Sequence, residues 1–162
     1  MTAFPGNIHL APRRVFEGRQ IIPAAPSRVF PLLCPEMEKH WFSGWTYTMI
    51  HSVSGYAEPG AVFATGPTDA PTYWVVSEYQ PTRRVAFVRL QPEGLAVHLA
   101  IDLDALPGGA SAVRIVYTYT ALNAGGATAL AAKTEAEWET LMQTWEGNMK
   151  RWLEEHPEWA GH

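Results

Sequence analysis

Two periods divide the chain. Up to residue 122, apolar side chains alternate with polar ones or gather in short runs, and proline or glycine separates the runs. Residues 13–23 (RRVFEGRQIIP) predict a strand stopped by proline. Residues 26–34 (PSRVFPLLC) predict a short helix opened by Pro26 or Ser27, with Val29, Phe30, Leu32 and Leu33 as its apolar residues. Pro31 keeps that helix very short or restarts it. A second short helix is predicted over 35–41 (PEMEKHW), with Pro35 in its first turn. Strands follow over 45–53, 61–66, 72–80, 83–91, 95–106 and 111–122. Together these make about six or seven strands, antiparallel because the connecting turns are too short for crossovers.

The last third switches period. From about residue 128 to 155, Trp138, Leu141, Met142, Trp145, Met149 and Trp152 recur at steps of three and four, which predicts one long helix with a single apolar stripe. Gly125 and Gly126 precede it, Pro157 forbids its continuation, and Gly147 falls opposite the stripe. A sheet with one apolar face and a helix with one apolar stripe are satisfied by packing on each other.

Turn lengths set an expected register. A two-residue turn at Pro81 and Thr82 places Ser77 opposite Ala86 and Val75 opposite Val88. A turn at Pro92 and Glu93 places Val88 opposite Val97, and a loop over 106–110 places Leu99 opposite Tyr117 and Val97 opposite Tyr119. One face then carries Tyr73, Val75, Ser77, Ala86, Val88, Leu90, Val97, Leu99, Ile101, Val113, Ile115, Tyr117 and Tyr119, and is expected to face the helix. The other carries Trp74, Val76, Glu78, Val85, Phe87, Arg89, His98, Asp102, Arg114, Val116 and Thr118, with Asp102 and Arg114 opposed. On that face Trp74, Val76, Val85 and Phe87 form a candidate homodimer patch, unless a terminal segment or the Arg89 and Glu78 stems cover them.

Composition narrows the class. The 162 residues are 47% apolar and 17% charged, enough for a full core, and the formal charge of −4 speaks against a nucleic-acid or acidic-membrane partner. A single cysteine, Cys34, allows neither an internal disulfide nor a thiolate cluster, and its setting between Leu33 and Pro35 is that of a small buried filler. With no signal-like start and no run long enough for a membrane span, the expected location is cytoplasmic. Residues 1–12 are expected to be a loose arm, 13–157 one domain and 158–162 a short tail.

The order of elements resembles the START-like helix-grip fold, in particular the polyketide cyclase/dehydrase-like branch of the SRPBCC superfamily. The segment IIPAAPSRVFPLL (residues 21–33) is similar to that family's first strand, proline-bearing corner and opening short helix, and Trp41 matches its aromatic residue before the second strand. The resemblance spans roughly residues 13–155. It implies an α+β helix-grip (START/Bet v 1-like) domain: a curved antiparallel sheet wrapped on a long C-terminal helix, two short helices after the first strand, and a cavity between sheet and helix. The family has no universal catalytic set. It includes lipid and hormone carriers, aromatase/cyclases, ring-hydroxylase subunits and co-chaperone domains.

Within such a cavity, Tyr73, Val75, Leu99, Tyr117 and Tyr119 from the sheet and Trp138, Met142 and Trp145 from the helix are the expected ligand-binding residues. Buried tyrosine hydroxyls need partners, which favours a wetted or ligand-filled space over a dry core. Tyr47 joins them if the face it shares with Trp45, Met49 and His51 points inward. On that condition His51 is the candidate acid/base catalyst, its ordinary pKa lying near about 6.5; the alternative is a strand-end histidine beside the turn at 52–55. Glu36 and His40 stand four apart and read as solvated side chains. His9, His40, His51, His98, His156 and His162 form no metal-ligand pattern, and no nucleotide- or nucleophile-type motif is present, so no metal or cofactor is expected. The reading is a domain that binds a small apolar or aromatic molecule. The alternatives are an enzyme of the cyclase/dehydratase type acting on it, and a co-chaperone-like interaction module using the Trp74/Phe87 face.

Overall fold

The computed structural model describes residues 11–161. Most of the arm at 1–12 therefore lies outside the described residues, as do His9 and His162. The elements run β1 (Arg13–Ile22), α1 (Pro26–Val29), a 3-10 turn (Phe30–Leu33), α2 (Pro35–Trp41), β2 (Thr48–His51), β3 (Val62–Thr65), β4 (Thr72–Gln80), β5 (Arg84–Gln91), β6 (Leu95–Ala105), β7 (Ser111–Ala121), α3 (Ala124–Ala131) and α4 (Glu135–Glu155). The seven strands form one curved antiparallel sheet in the order β1-β7-β6-β5-β4-β3-β2.

The helix stripe packs as its spacing predicts. Trp138, Met142, Trp145, Met149 and Leu153 are buried, and α4 lies against β1. Three polar contacts fix the crossing: Trp138 Nε1 donates to the Glu17 carbonyl at 2.9 Å, Gln20 Nε2 to the Met142 carbonyl at 2.9 Å, and the Ile21 amide to Glu146 Oε2 at 3.0 Å. At the far end Arg28 Nε donates to the Trp159 carbonyl at 2.6 Å and Trp159 Nε1 to the Arg28 carbonyl at 3.0 Å, so the chain after α4 docks on α1. Gly147 is exposed, with open space where a Cβ would stand. Gly147→Ala is expected to raise unfolding stability by about 1 kcal/mol through helix propensity and a less flexible unfolded chain, read in a denaturant melt.

The long helix expected over 128–155 is two helices. Thr134 caps α4, its hydroxyl accepting from the Glu137 amide while the Glu137 carboxylate accepts from the Thr134 amide. This reciprocal capping box starts a new helix and ends the previous one. Asn123 likewise caps α3, accepting from the Gly126 amide. Arg14 Nη1 satisfies the carbonyls of Leu130 and Lys133 at its other end.

The register departs from expectation at two hairpins. The β4–β5 connection has three residues, with Gln80 opposite Arg84 and Thr82 at φ +66°. A bulge at Ser77 then restores Val75 opposite Val88, so two one-residue differences cancel. Between β5 and β6, Gly94 sits at φ +99° and belongs to a three-residue loop, which pairs Gln91 with Leu95 and Val88 with His98. Nothing cancels that shift. β6 and β7 keep the expected pairs Leu99–Tyr117 and Val97–Tyr119, and β5 and β4 turn over relative to them.

The consequence is a correction of both faces. Trp74, Val76, Val85 and Phe87 are buried in the core and form no dimer patch, and Arg89 points inward with them. Tyr73, Val75 and Leu90 lie on the outer face, 49%, 39% and 48% exposed. Asp102 and Arg114 are opposed as expected but bond elsewhere: Asp102 to Arg84 at 2.8 Å, Arg114 to Glu17 at 2.8 Å. Glu78 stays at the surface with Arg84, because the bulge turns it outward.

Candidate functional site

Between the inner sheet face, α2 and α4 lies a cavity of about 310 Å³. Its sheet wall is Phe63, Trp74, Phe87, Arg89, Leu99, Ile101, Tyr117 and Tyr119; Trp145 and Leu141 of α4, Lys133 before it, and Glu38, Phe42 and Trp45 close the rest. The aromatic shell is a connected set of edge and stacked contacts. Phe63 stacks on Trp74 at 5.2 Å between centroids, Trp74 meets Trp45 at 6.0 Å, and Trp145 meets Phe42 at 6.1 Å and Tyr117 at 6.5 Å. Rings of fixed geometry prop one another apart and keep the space open. A smaller pocket of about 100 Å³ adjoins it across Tyr119, Lys133 and Leu141, at the break between α3 and α4.

Ionisable side chains line this apolar space: Glu38, Arg89, Tyr117, Tyr119 and Lys133. Glu38 of α2 is half-buried and lines the cavity. Removal from water pushes its pKa up to about 8, and no positive charge opposes the shift, so at neutral pH it is mostly a neutral acid. Burial also raises the Tyr117 hydroxyl well above the ordinary tyrosine range, against a smaller opposite effect of Arg89. Lys133, 4.9 Å from the Tyr119 ring centroid, is pulled below the usual lysine range by burial first and by Arg89 second.

Arg89 stands over three rings, 5.0 Å from the Trp74 centroid, 5.4 Å from Tyr117 and 5.9 Å from Tyr119. Its Nη2 donates to Gln91 Oε1 at 3.2 Å and Tyr119 Oη at 3.3 Å, while its Nε is enclosed without a hydrogen-bond partner. The indole Nε1 of Trp145 is likewise buried and unpartnered.

Of the residues expected from sequence, Leu99, Tyr117, Tyr119 and Trp145 line this cavity. Trp138 lines the smaller pocket, and Met142 is core packing over Gly18. Tyr47 is half-buried and donates to the Glu36 carboxylate, outside the cavity wall. Tyr73 and Val75 are on the outer surface. His51 is exposed as well, because a register shift between Met49 and His51 turns it away from the half-buried side of Tyr47 and Met49. Glu38, Arg89 and Lys133 are the acidic and basic cavity groups that sequence reasoning missed, and Trp74 and Phe87 line the cavity from the face expected to be outer. For Arg89 the missing signal was Gly94, whose place in the turn decides which β5 face is inner. For Glu38 it was the burial of Met37 and Trp41, which brings that side of α2 against the core. Cys34 is buried, its sulfur accepting from the Ala57 amide at 3.2 Å. Among the described residues, none gathers three His, Cys, Asp or Glu side chains fit to hold a metal, and no helix is long and apolar enough to cross a membrane.

No family model matches the chain, and no curated protein sequence matches it. Solved structures do. A hypothetical protein from Helicobacter pylori superposes with a TM-score of 0.69 at 15% identity, covering 86% of this chain and 87% of that one. Ara h 8.0201 gives 0.62 at 13% identity, covering 90% and 97%. DynU16, a protein of the dynemicin biosynthetic locus, gives 0.56 at 16% identity; 86% of this chain aligns, over 47% of that longer one. The fold is the helix grip. At these identities the likeness establishes the helix-grip architecture and leaves the chemistry to the cavity's own residues.

Proposed function

We propose that this helix-grip protein binds a small, largely apolar or aromatic molecule in the cavity between the sheet and α4. The observation that carries the reading is the aromatic-lined cavity of about 310 Å³, two of whose lining residues, Arg89 and Trp145, each keep a buried N–H (Nε and Nε1) without a hydrogen-bond partner among the described residues. Buried donors are normally paired, and each orphan costs about 1–3 kcal/mol, a cost that a bound acceptor would remove. A ligand site of this kind combines apolar walls with a few placed polar groups. Titration of the full chain with the neutral fluorophore N-phenyl-1-naphthylamine is expected to give saturable one-to-one binding with quenching of tryptophan emission. A linear, unsaturable response would overturn the reading.

A second reading, an enzyme of the polyketide cyclase/dehydrase-like type, is favoured by Glu38. A carboxyl that titrates at about 8 is poised to exchange protons near neutral pH, and Tyr117 lines the same space. The occurrence of DynU16 in a biosynthetic locus agrees with this reading. The acid/base role belongs to Glu38 rather than to exposed His51. An interaction module working through Trp74 and Phe87 has lost its surface, since both are buried.

A further inference from the structure

We propose that the natural occupant of the cavity is an aromatic carboxylate, its planar anionic head seated against Arg89 and its ring system against the tryptophan and phenylalanine walls. The inference deepens the binding reading above and rests on it. Its basis is the sign of everything left unsatisfied. Arg89 forms no ion pair among the described residues, although its guanidinium stands among the Trp74, Tyr117 and Tyr119 rings, and its Nε–H has no acceptor. A cation held in an apolar enclosure is costly unless an anion meets it.

Among the described residues, no such anion stands at the cavity wall. Glu38, the one carboxyl lining the cavity, shows no lowering of its pKa by any cation and stays mostly protonated at neutral pH. Lys133 adds a second positive group to the same wall. Trp145 Nε1–H is a further donor, and protonated Glu38 can donate too. Donors without acceptors and cations without an anion call for a ligand that brings both acceptor lone pairs and negative charge. A carboxylate fits better than a dianion such as phosphate: it is planar, matches the guanidinium fork, and brings one charge rather than two out of water. The remaining wall is flat and apolar, which selects an aromatic body, and the volume admits a fused bicyclic system.

The test compares 2-naphthoate with its neutral isostere 2-naphthamide by isothermal titration calorimetry on the full chain. At about pH 6.5 naphthoate is expected to bind at least about tenfold more tightly, the preference a desolvated guanidinium–carboxylate contact provides. In Arg89→Gln that preference is expected to vanish, naphthoate losing more affinity than naphthamide. A second arm needs no variant. Raising the pH to about 9 ionises Glu38, which shares the cavity wall with Arg89 of β5, Tyr117 and Tyr119 of β7 and Lys133 before α4; α4 presents Leu141 and Trp145 there, while α2 itself also carries Glu36, Lys39 and His40 and is preceded by Cys34. Naphthoate is then expected to weaken, and naphthamide to stay level. Equal affinities for the two probes at the lower pH, or a preference that survives in Arg89→Gln, or identical pH responses, would overturn the carboxylate proposal and leave the binding reading intact. Failure of both probes to saturate at millimolar concentration would overturn the two together.

Discussion

Glu38→Gln is expected to hold its stability level between about pH 5 and pH 8, the range in which the parent protein loses it. The folded carboxyl titrates at about 8 and the free one near 4.5. Between those values the unfolded chain has released a proton that the folded chain retains, so stability falls as pH rises, by up to about 1.4 kcal/mol per pH unit, and flattens above the folded value. Below the free value both states are protonated and the difference disappears. Glu17, Glu36 and Glu58 shift the other way, held low by Arg114, Lys39 and the Ser54 loop respectively. Their stabilisation is present above the ordinary carboxylate value and is lost as pH falls, below the window that Glu38 controls. Chemical denaturation at several pH values should therefore show the two proteins converging near pH 5, with the variant ahead by several kcal/mol at pH 9. Parallel curves would mean that Glu38 is ionised and hydrated in the folded state, and the neutral acid in the cavity would have to be abandoned.

Gly126→Ala is expected to cost about 3 kcal/mol or more, enough to lower the melting temperature by many degrees. A Cβ at that position would stand 1.9 Å from the Gly94 carbonyl oxygen and 2.7 Å from its carbon, a backbone collision that rotamer changes cannot relieve. The loop cannot retreat easily. Gly94 is itself at φ +99°, its carbonyl accepts from the Leu122 amide at 2.8 Å, and the Asn123 side chain that caps α3 fills the space beside it. The β5–β6 turn and the start of α3 are thus one joint, and α3 carries the chain to Lys133 at the cavity wall. Gly125→Ala is the control: its nearest contacts are 3.1 Å to the Glu93 carbonyl oxygen and 3.3 Å to Asn123 Oδ1, tight but yielding, and its cost should stay within about 1 kcal/mol. Equal losses in the two variants, measured by urea denaturation, would show that helix propensity and not the Gly94 contact sets the effect.

The same joint explains what could and could not be read from the sequence. β6 and β7 were legible, because their inner positions alternate cleanly with polar ones and the loop between them has an unambiguous length. β4 and β5 were not. Tyr73, Trp74, Val75 and Val76 are apolar on both faces, as are Val85 to Val88, so alternation is silent there and only the turns decide which side is inner. Counting Gly94 as strand rather than as the left-handed residue of a three-residue turn shifts the pairing by one and exchanges the faces. With the faces exchanged, Arg89 faces solvent and Tyr73 and Val75 face the helix, the reverse of the observed arrangement. The bulge before His51 has no comparable mark in the chain. The break in the long helix does have one, since Thr134 and Glu137 stand at capping-box spacing just before the stripe that begins at Trp138, but a helix started at about residue 128 runs past it.

A ligand held in the cavity meets the inner side of the sheet and not the outer one. With N-phenyl-1-naphthylamine bound at saturation to isotope-labelled full-length protein, intermolecular nuclear Overhauser effects report the neighbours of its rings directly. Cross-peaks to the Leu99 methyls and to the Tyr117 and Trp145 rings, with none to Tyr73 or Leu90, are the predicted result. Cross-peaks confined to Tyr73, Val75 and Leu90 would place the ligand on the outer face and contradict it.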